Sequence, residues 1–337
     1  MDALSHYACP RCRGGLSPAG GGGVPEIARC VSCGTTFPRR DGIRDFRPEG
    51  LVRADREGGS VWNRDEFERA YRNAGFYRDN WEWAAIGRVP RDFEEYRHPR
   101  LKGLVEDWIR VPPGGRVLEV GCGVGWFLFS LDRRLGAGAV SFTGLDVTEV
   151  NIRWLAERAR EENKINIMGA LGDAEGLPFP DGHFDAIVCS EVIEHIYHPE
   201  TALREIARCL KPGGRLYLTT PSRIGVNLSI ALFAVPRALK QIFRRGQGFA
   251  NRPYDRPLYS WQLRRLLREA GFDIRRFRMT VFTFHESYFQ FFPGWMRRII
   301  LGAARFSERW LYGLLKGLAL QMVVEAEKPG MPEGGRV

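Results

Sequence analysis

From residue 116 onward the hydrophobic positions keep changing period. Short apolar runs, "RVLEV", "VSFTGLDV", "INIMGAL", "FDAIVCS" and "GRLYLTT", have the length and β-branched content of buried strands. Segments of helical period at about 126–135, 149–162 and 199–210 separate them. This alternation predicts a parallel sheet with helices on both faces, because parallel neighbours need a long crossover connection. A further helix at 260–270 is followed by "FDIRRFRMTVFTF" and "LQMVVEAEK", which predict two final strands. Upstream, residues 49–110 are polar and rich in Trp and Tyr. Their patterns "RDEFERAYRNAGFY" and "HPRLKGLVEDWI" predict helices that lead into the main domain and cover it. The chain thus divides into a module at 1–48, a helical lead-in at 49–110, an α/β domain at 111–328 and a tail at 329–337.

Cysteines explain the first module. Cys9-x2-Cys12 and Cys30-x2-Cys33 have 17 residues between them, a spacing that closes two knuckles around one tetrahedral zinc ion. "SPAGGGGVP" forms the tip and "TTFPRRDGIRDFRP" the exit. So short a segment cannot fold on apolar burial alone, and the metal is expected to supply much of its stability. Four thiolates leave no position for a reacting water, so the expected role is structural. Cys122, Cys189 and Cys209 lie in the main domain and read as small core residues.

With 44% hydrophobic residues the chain can bury a sizeable core. No basic start followed by an apolar run opens it. No stretch reaches the roughly 18 uninterrupted apolar residues that span a bilayer, so a cytoplasmic protein is expected. The net charge of +10 is uneven: residues 221–337 hold 20 Lys/Arg against 8 Asp/Glu, and residues 1–220 hold 30 against 32. The basic last third suits an anionic partner, membrane or nucleic acid, or else a solvated arginine face.

"VLEVGCGVGW" places Gly121, Gly123 and Gly125 between a strand and a helix. Alone, such a turn would suit a dinucleotide. Its neighbours change the picture. Glu119, two residues before the first glycine, would repel a pyrophosphate and attract a ligand carrying an ammonium and a sulfonium. Asp146 ends the second strand, where an acid accepts hydrogen bonds from ribose hydroxyls. Asp173 follows the third strand, placed to meet an adenine amino group. The ligand these acids sketch is S-adenosylmethionine. The zinc module is expected to be separable from this site, so that losing the metal spares cofactor affinity.

"VLEVGCGVGWF", "GLDVT", "GDAEGLPFPDGHFDAIVCSEVIEHI" and "REIARCLKPGGRLYLTTPS" closely resemble, in order and spacing, the successive motifs of class I S-adenosylmethionine-dependent methyltransferases. The resemblance covers about residues 100–327. It implies a Rossmann-like α/β fold with a seven-stranded, mostly parallel sheet whose last strand is antiparallel. It also implies a cofactor site lined by Glu119, Gly121, Cys122, Gly123, Gly125, Asp146, Val147, Asp173, Ala174 and Ser190. The cysteine module resembles small zinc ribbons that precede methyltransferase domains, including those of some bacterial rRNA guanine methyltransferases.

"SEVIEH" leaves the fourth strand at the carboxyl edge, where ligands of open α/β sheets bind, so Glu191, Glu194 and His195 face the acceptor. Three roles are open for them. The acids start a helix, capping it or pairing with arginines. Alternatively, His195 is a general base that takes the acceptor's proton. In the third, the side chains share a helical face and hold a divalent ion such as Mg2+. This last pattern is similar to that of ubiquinone-biosynthesis O-methyltransferases and small-RNA 2′-O-methyltransferases, although Asp255 stands where their downstream histidine is usual.

Two insertions, 222–256 and 285–318, leave the same edge and mix long apolar stretches with arginines and aromatic residues. That composition suits helices lying in a membrane interface, or a lid packed on the domain. The function expected is methylation, on oxygen, of a small apolar, lipid-linked or isoprenoid acceptor, with peripheral membrane contact through the insertions. RNA methylation, with the ribbon and the basic third gripping phosphates, is the alternative. A binding module without chemistry is a third.

Overall fold

The computed structural model describes residues 4–19, 27–47, 52–53, 62–63, 91–136, 138–228, 256–283 and 292–330. Four short strands form the N-terminal module: β1 (Leu16–Pro18), β2 (Ile27–Cys30), β3 (Thr36–Arg40) and β4 (Ile43–Asp45). A two-residue pair, β5 (Val52–Arg53) with β6 (Trp62–Asn63), follows. Of the helical lead-in, α1 (Arg91–Arg97) and α2 (Lys102–Trp108) are described. The expected helix at 64–77 lies outside the described residues.

The α/β alternation then takes the expected form. Strands β7 (Arg116–Val120), β8 (Ser141–Asp146), β9 (Ile167–Leu171), β10 (Phe184–Ser190) and β11 (Leu210–Pro221) are parallel neighbours in the order β9-β8-β7-β10-β11. Three helices cross between them: α3 (Trp126–Leu135), α4 (Glu149–Glu161) and α5 (Pro199–Cys209). After α6 (Ser260–Glu269), β12 (Asp273–Thr280) forms the outer edge. β13 (Gln321–Glu327) inserts antiparallel between β11 and β12. Helices α7 (Gly294–Trp310) and α8 (Tyr312–Leu315) fill the connection from β12 to β13.

Burial on both faces explains why these strands read as continuous apolar runs. Along β10, Ile187 and Cys189 join the core on one side of the sheet, while Ala186 and Val188 join the core on the other. Cys122, Cys189 and Cys209 are all buried, as small core residues should be.

The N-terminal module departs from the separable unit expected of it. β4 pairs in parallel with β9, in the register Arg44↔Ala170 and Asp45↔Leu171, so the sheet runs unbroken through eleven strands. Ile43 is buried in the same apolar layer as Ile152, Leu155 and Leu171. Tyr7 packs between Phe46 and Phe179, with ring centroids 4.8 and 5.8 Å away. His6 lies 3.0 Å from the Thr143 hydroxyl and 2.8 Å from His183. Burial pushes both imidazoles down, His6 to about 3 and His183 to about 4, so the contact is made by neutral rings.

Candidate functional site

Two loops meet at the carboxyl edge of β7 and β10. In the first, the peptide N–H groups of Gly121 and Cys122 both donate to the Leu145 carbonyl, at 2.7 and 3.0 Å, tying the glycine turn to the end of β8. Gly121, Gly123 and Gly125 have φ of 67°, 53° and 77°, a region that costs a side-chain-bearing residue about 1–2 kcal/mol. A methyl on Gly125 would also sit 2.7 Å from Leu155, and one on Gly121 only 2.4 Å from Val192. Around Gly123 there is open space among the described residues. The turn is therefore packed at its ends and open in its middle, the shape that admits a ligand against bare backbone.

Acids flank that opening. Glu119 is buried, and its Oε2 has no hydrogen-bond partner among the described residues. Burial, reinforced by the nearby Asp146 carboxylate and opposed by Lys102, pushes its carboxyl up to about 8. Asp146 is buried too. It accepts from the Gly123 N–H at 2.9 Å, the Thr148 N–H at 2.8 Å and the Asn151 side-chain amide at 3.2 Å. Burial pushes its carboxyl upward, against those hydrogen bonds. Val147 follows directly, so its backbone lies at the same edge. Asp173 caps a tight turn, accepting from the Glu175 N–H at 3.0 Å, and Ala174 is buried beside it. Cys122 is buried, its thiol donating to the Gly123 carbonyl at 3.3 Å. An orphaned buried carboxyl oxygen beside an open glycine cradle fits a cationic ligand such as S-adenosylmethionine.

The Glu119 geometry has a measurable consequence. A carboxyl with its pKa near 8 is mostly protonated at pH 7, and a sulfonium or ammonium placed beside it favours the carboxylate. Cofactor binding at pH 7 is thus expected to release close to one proton. Affinity should rise by about tenfold per pH unit between pH 6 and 8 and level off above. Calorimetry in buffers of different ionisation enthalpy reads this directly. Wild-type protein that binds without proton release, or Glu119→Gln protein that still releases one, would contradict it.

The second loop carries Ser190, Glu191, Glu194 and His195. Ser190 lies 2.9 Å from the Thr219 hydroxyl. Glu191 sits at φ 57°, a left-handed conformation outside any helix, held by the Thr219 hydroxyl at 2.9 Å and the Gln321 amide at 3.0 Å. Arg97 of the lead-in approaches it to 3.9 Å. Glu194 is buried and accepts from the Thr220 hydroxyl at 2.9 Å. His195 is half-buried, its Nε2 3.9 Å from Glu194 Oε1.

Two of the sequence readings change here. Ile193–His195 is one 3-10 turn without a side-chain cap, so the acids start no α-helix here and cap none among the described residues. Thr219, Thr220 and Gln321 on β11 and β13 hold them, and the pairing with an arginine stands, between Glu191 and Arg97. Glu191 precedes the turn, so the three side chains share no helical face. Among the described residues, only Cys9, Cys12, Cys30 and Cys33 bring three or more ligand atoms within 4.8 Å of one another. Asp255 lies outside the described residues. The anchoring residues Thr219, Thr220, Gln321 and Arg97 escaped sequence reasoning. The one available signal was the polar pair in "LTTPS" at a strand end.

The two loops touch. Val192, next to Glu191, packs against Gly121, so the glycine turn and the exit loop are in contact. At the other end of the sheet, the cysteines fit a tetrahedral ion. Cys9 and Cys33 sulfurs lie 3.7 Å apart and those of Cys12 and Cys30 lie 3.4 Å apart. Arg13 and Gly34, at φ 64° and 74°, close the two knuckles.

A family model for a methyltransferase domain matches residues 118–218. The chain is similar to the ubiquinone/menaquinone biosynthesis C-methyltransferase UbiE of Roseobacter denitrificans, at 31% identity over 196 residues, covering 54% of this chain and 75% of that protein. It is similar to the protein of the same name from Ruegeria sp. at 36% identity over 128 residues, covering 38% and 50%. The ubiquinone biosynthesis O-methyltransferase of Xanthomonas oryzae pv. oryzae matches at 35% identity over 120 residues, covering 35% and 48%. The chain spans about half the length of the latter two relatives. With the glycine turn, the flanking acids and the strand order β9-β8-β7-β10-β11-β13-β12 all in place, the chain belongs to the class I S-adenosylmethionine-dependent methyltransferases.

Proposed function

We propose that the chain methylates a small aromatic acceptor of the quinone-precursor type bearing an apolar tail, with His195 as the base. The observation that carries this reading is the contact between the cofactor turn and the His195 loop through Val192. On this reading the imidazole, three residues after Val192, stands beside the bound donor methyl. Relatives named for C- and O-methylation in quinone biosynthesis support the acceptor class. Bound S-adenosylmethionine supplies an electrophilic methyl group on a sulfonium. The chain's residues must align a phenolic oxygen with it and remove the phenolic proton. Methylation of the oxygen would release the donor as a neutral sulfide that keeps the carbon–sulfur pair, and His195 would take the phenolic proton. Glu194, held by Thr220, stabilises the imidazolium that results.

Helix α7 supports an apolar acceptor drawn from a membrane surface. Leu301 and Ala304 bury one side, and Glu308 on that side accepts from the Tyr96 hydroxyl at 3.1 Å. Trp295, Ile299, Phe306 and Trp310, with Leu314 on α8, are each more than half exposed, among Arg298, Arg305 and Arg309. An apolar stripe flanked by arginines suits a helix lying in an anionic interface. No helix among the described residues is long and apolar enough to cross a membrane. Most of the first insertion, 229–255, lies outside the described residues.

The direct test is methyl-labelled S-adenosylmethionine with anionic vesicles that carry a prenylated hydroquinone, beside a second reaction containing cell RNA. Label in the organic phase, released by ether cleavage, supports the reading. Label in RNA, or none in the organic phase, overturns it.

At the four thiols the reading includes one zinc ion per chain, held for structure. Elemental analysis should find about one zinc in the intact protein and none in Cys30→Ser, whose N-terminal strands should become protease-sensitive. Intact protein without zinc would refute it.

A further inference from the structure

Arg47 stands at the exit of the cysteine module, yet its side chain is 4% exposed and reaches the cofactor edge. Its Nε donates to Asp45 Oδ1 at 2.8 Å, and its Nη2 also meets the Asp45 carboxylate. Nη1 donates to the Val147 carbonyl at 3.0 Å, and Nη2 lies 3.5 Å from Glu149 Oε2. The Val147 carbonyl and the Thr148 N–H belong to one peptide unit. Arg47 holds its oxygen, and the Asp146 carboxylate accepts from its N–H at 2.8 Å. Any rotation of that unit would swing the N–H that aims Asp146. The support beneath Arg47 is rigid. Asp45 pairs with Leu171 in the sheet, the Phe46 N–H donates to the Leu171 carbonyl at 2.8 Å, and the Gly172 N–H donates to the Asp146 carbonyl at 3.1 Å. Strand β4 thus braces the ends of both β8 and β9.

We propose that Arg47 is a positioning residue of the cofactor site, fixing the Val147–Thr148 peptide so that Asp146 is held ready for the ribose hydroxyls. The inference rests on the reading of Asp146 as the ribose-binding acid. It makes the cysteine module a working part of the cofactor pocket. A lysine cannot replace the guanidinium, because one ammonium cannot engage Asp45 in two places and reach the Val147 carbonyl as well.

The test uses the full chain and S-adenosylhomocysteine as probe, titrated by calorimetry. Arg47→Met should bind it roughly tenfold more weakly, as expected for loss of a charge-assisted hydrogen bond, and Arg47→Lys should fall between. Ser17→Ala, which removes a 3.3 Å hydrogen bond to the Arg29 carbonyl elsewhere in the module, should bind like wild type. The analogue lacking both ribose hydroxyls should bind wild type and Arg47→Met alike, which a general loss of structure would not produce. In ligand-free protein, hydrogen exchange at the Thr148 amide should speed up in both Arg47 variants. Wild-type affinity for S-adenosylhomocysteine in a folded Arg47→Met protein overturns the proposal, and if that variant does not fold, Arg47→Lys decides in the same way. Equal losses for both ligands would also overturn it. Should wild type itself not bind the probe, the cofactor reading fails, and unchanged Thr148 exchange would then reject the Arg47 role separately.

Discussion

Replacing His195 with alanine is expected to slow methyl transfer by roughly two to four orders of magnitude while cofactor affinity stays near normal. The half-buried imidazole has both an exposed edge and a buried carboxylate partner. On the proposed mechanism, removing it leaves a phenolic proton without an acceptor but leaves the glycine turn untouched. Glu194→Gln should cost less, roughly tenfold, because the amide keeps a hydrogen bond to Thr220 while losing the charge that stabilises the imidazolium. Glu191→Ala should show up in the unfolding midpoint rather than in the rate, since that carboxylate joins β11 and β13 to the lead-in through Thr219, Gln321 and Arg97. Added magnesium should leave the rate unchanged. Turnover of His195→Ala within a few-fold of wild type, measured with the labelled donor, would remove His195 from the chemistry.

The second large effect separates two glycines that look alike in sequence. Gly121→Ala places a methyl 2.4 Å from Val192 at a φ of 67°. Backbone strain and overpacking together amount to about 2–5 kcal/mol. Val192 carries the clash straight into the exit loop, so both the thermal midpoint and cofactor binding should fall, binding by roughly a hundredfold. Gly123→Ala meets no atom of the described residues within 4 Å. Its methyl would instead fill the open cradle, so affinity should fall by at least about tenfold with a much smaller loss of thermal stability, near the 1 kcal/mol of the backbone term. Thermal unfolding with calorimetry on the two variants distinguishes them. Equal behaviour would mean that the space at Gly123 is not where the ligand lies.

These contrasts mark where the sequence was legible. "RVLEV" and "FDAIVCS" match β7 and β10 to the residue, because strands buried on both faces leave unbroken apolar runs. The helix expected at 126–135 is equally well placed, starting just after Gly125 at its left-handed φ. The exit loop was harder to read. Residues spaced three or four apart suggest a helical face, but the left-handed backbone at Glu191 ends that register, and nothing local announces it. Its carboxylate partners lie 28 and 130 residues away in the chain. The fusion of the cysteine module to the sheet was invisible for a related reason. β4 is three residues long and joins β9 through backbone hydrogen bonds, which leave no hydrophobic period to detect. Arg47 looked like one more charge in a basic exit segment until the Val147 carbonyl was seen beneath it.

Calorimetric titration of S-adenosylmethionine into wild type and Asp146→Ala at pH 7 tests the central claim most directly. Asp146 joins the glycine turn, the start of α4 and the expected ribose position, so its loss should be felt by any ligand bound there. The predicted result is one cofactor per wild-type chain and affinity weakened in the variant by about 1–3 kcal/mol, roughly five- to a hundredfold. Wild-type protein that takes up no cofactor, or an Asp146→Ala variant that binds it as tightly as wild type, would contradict the account.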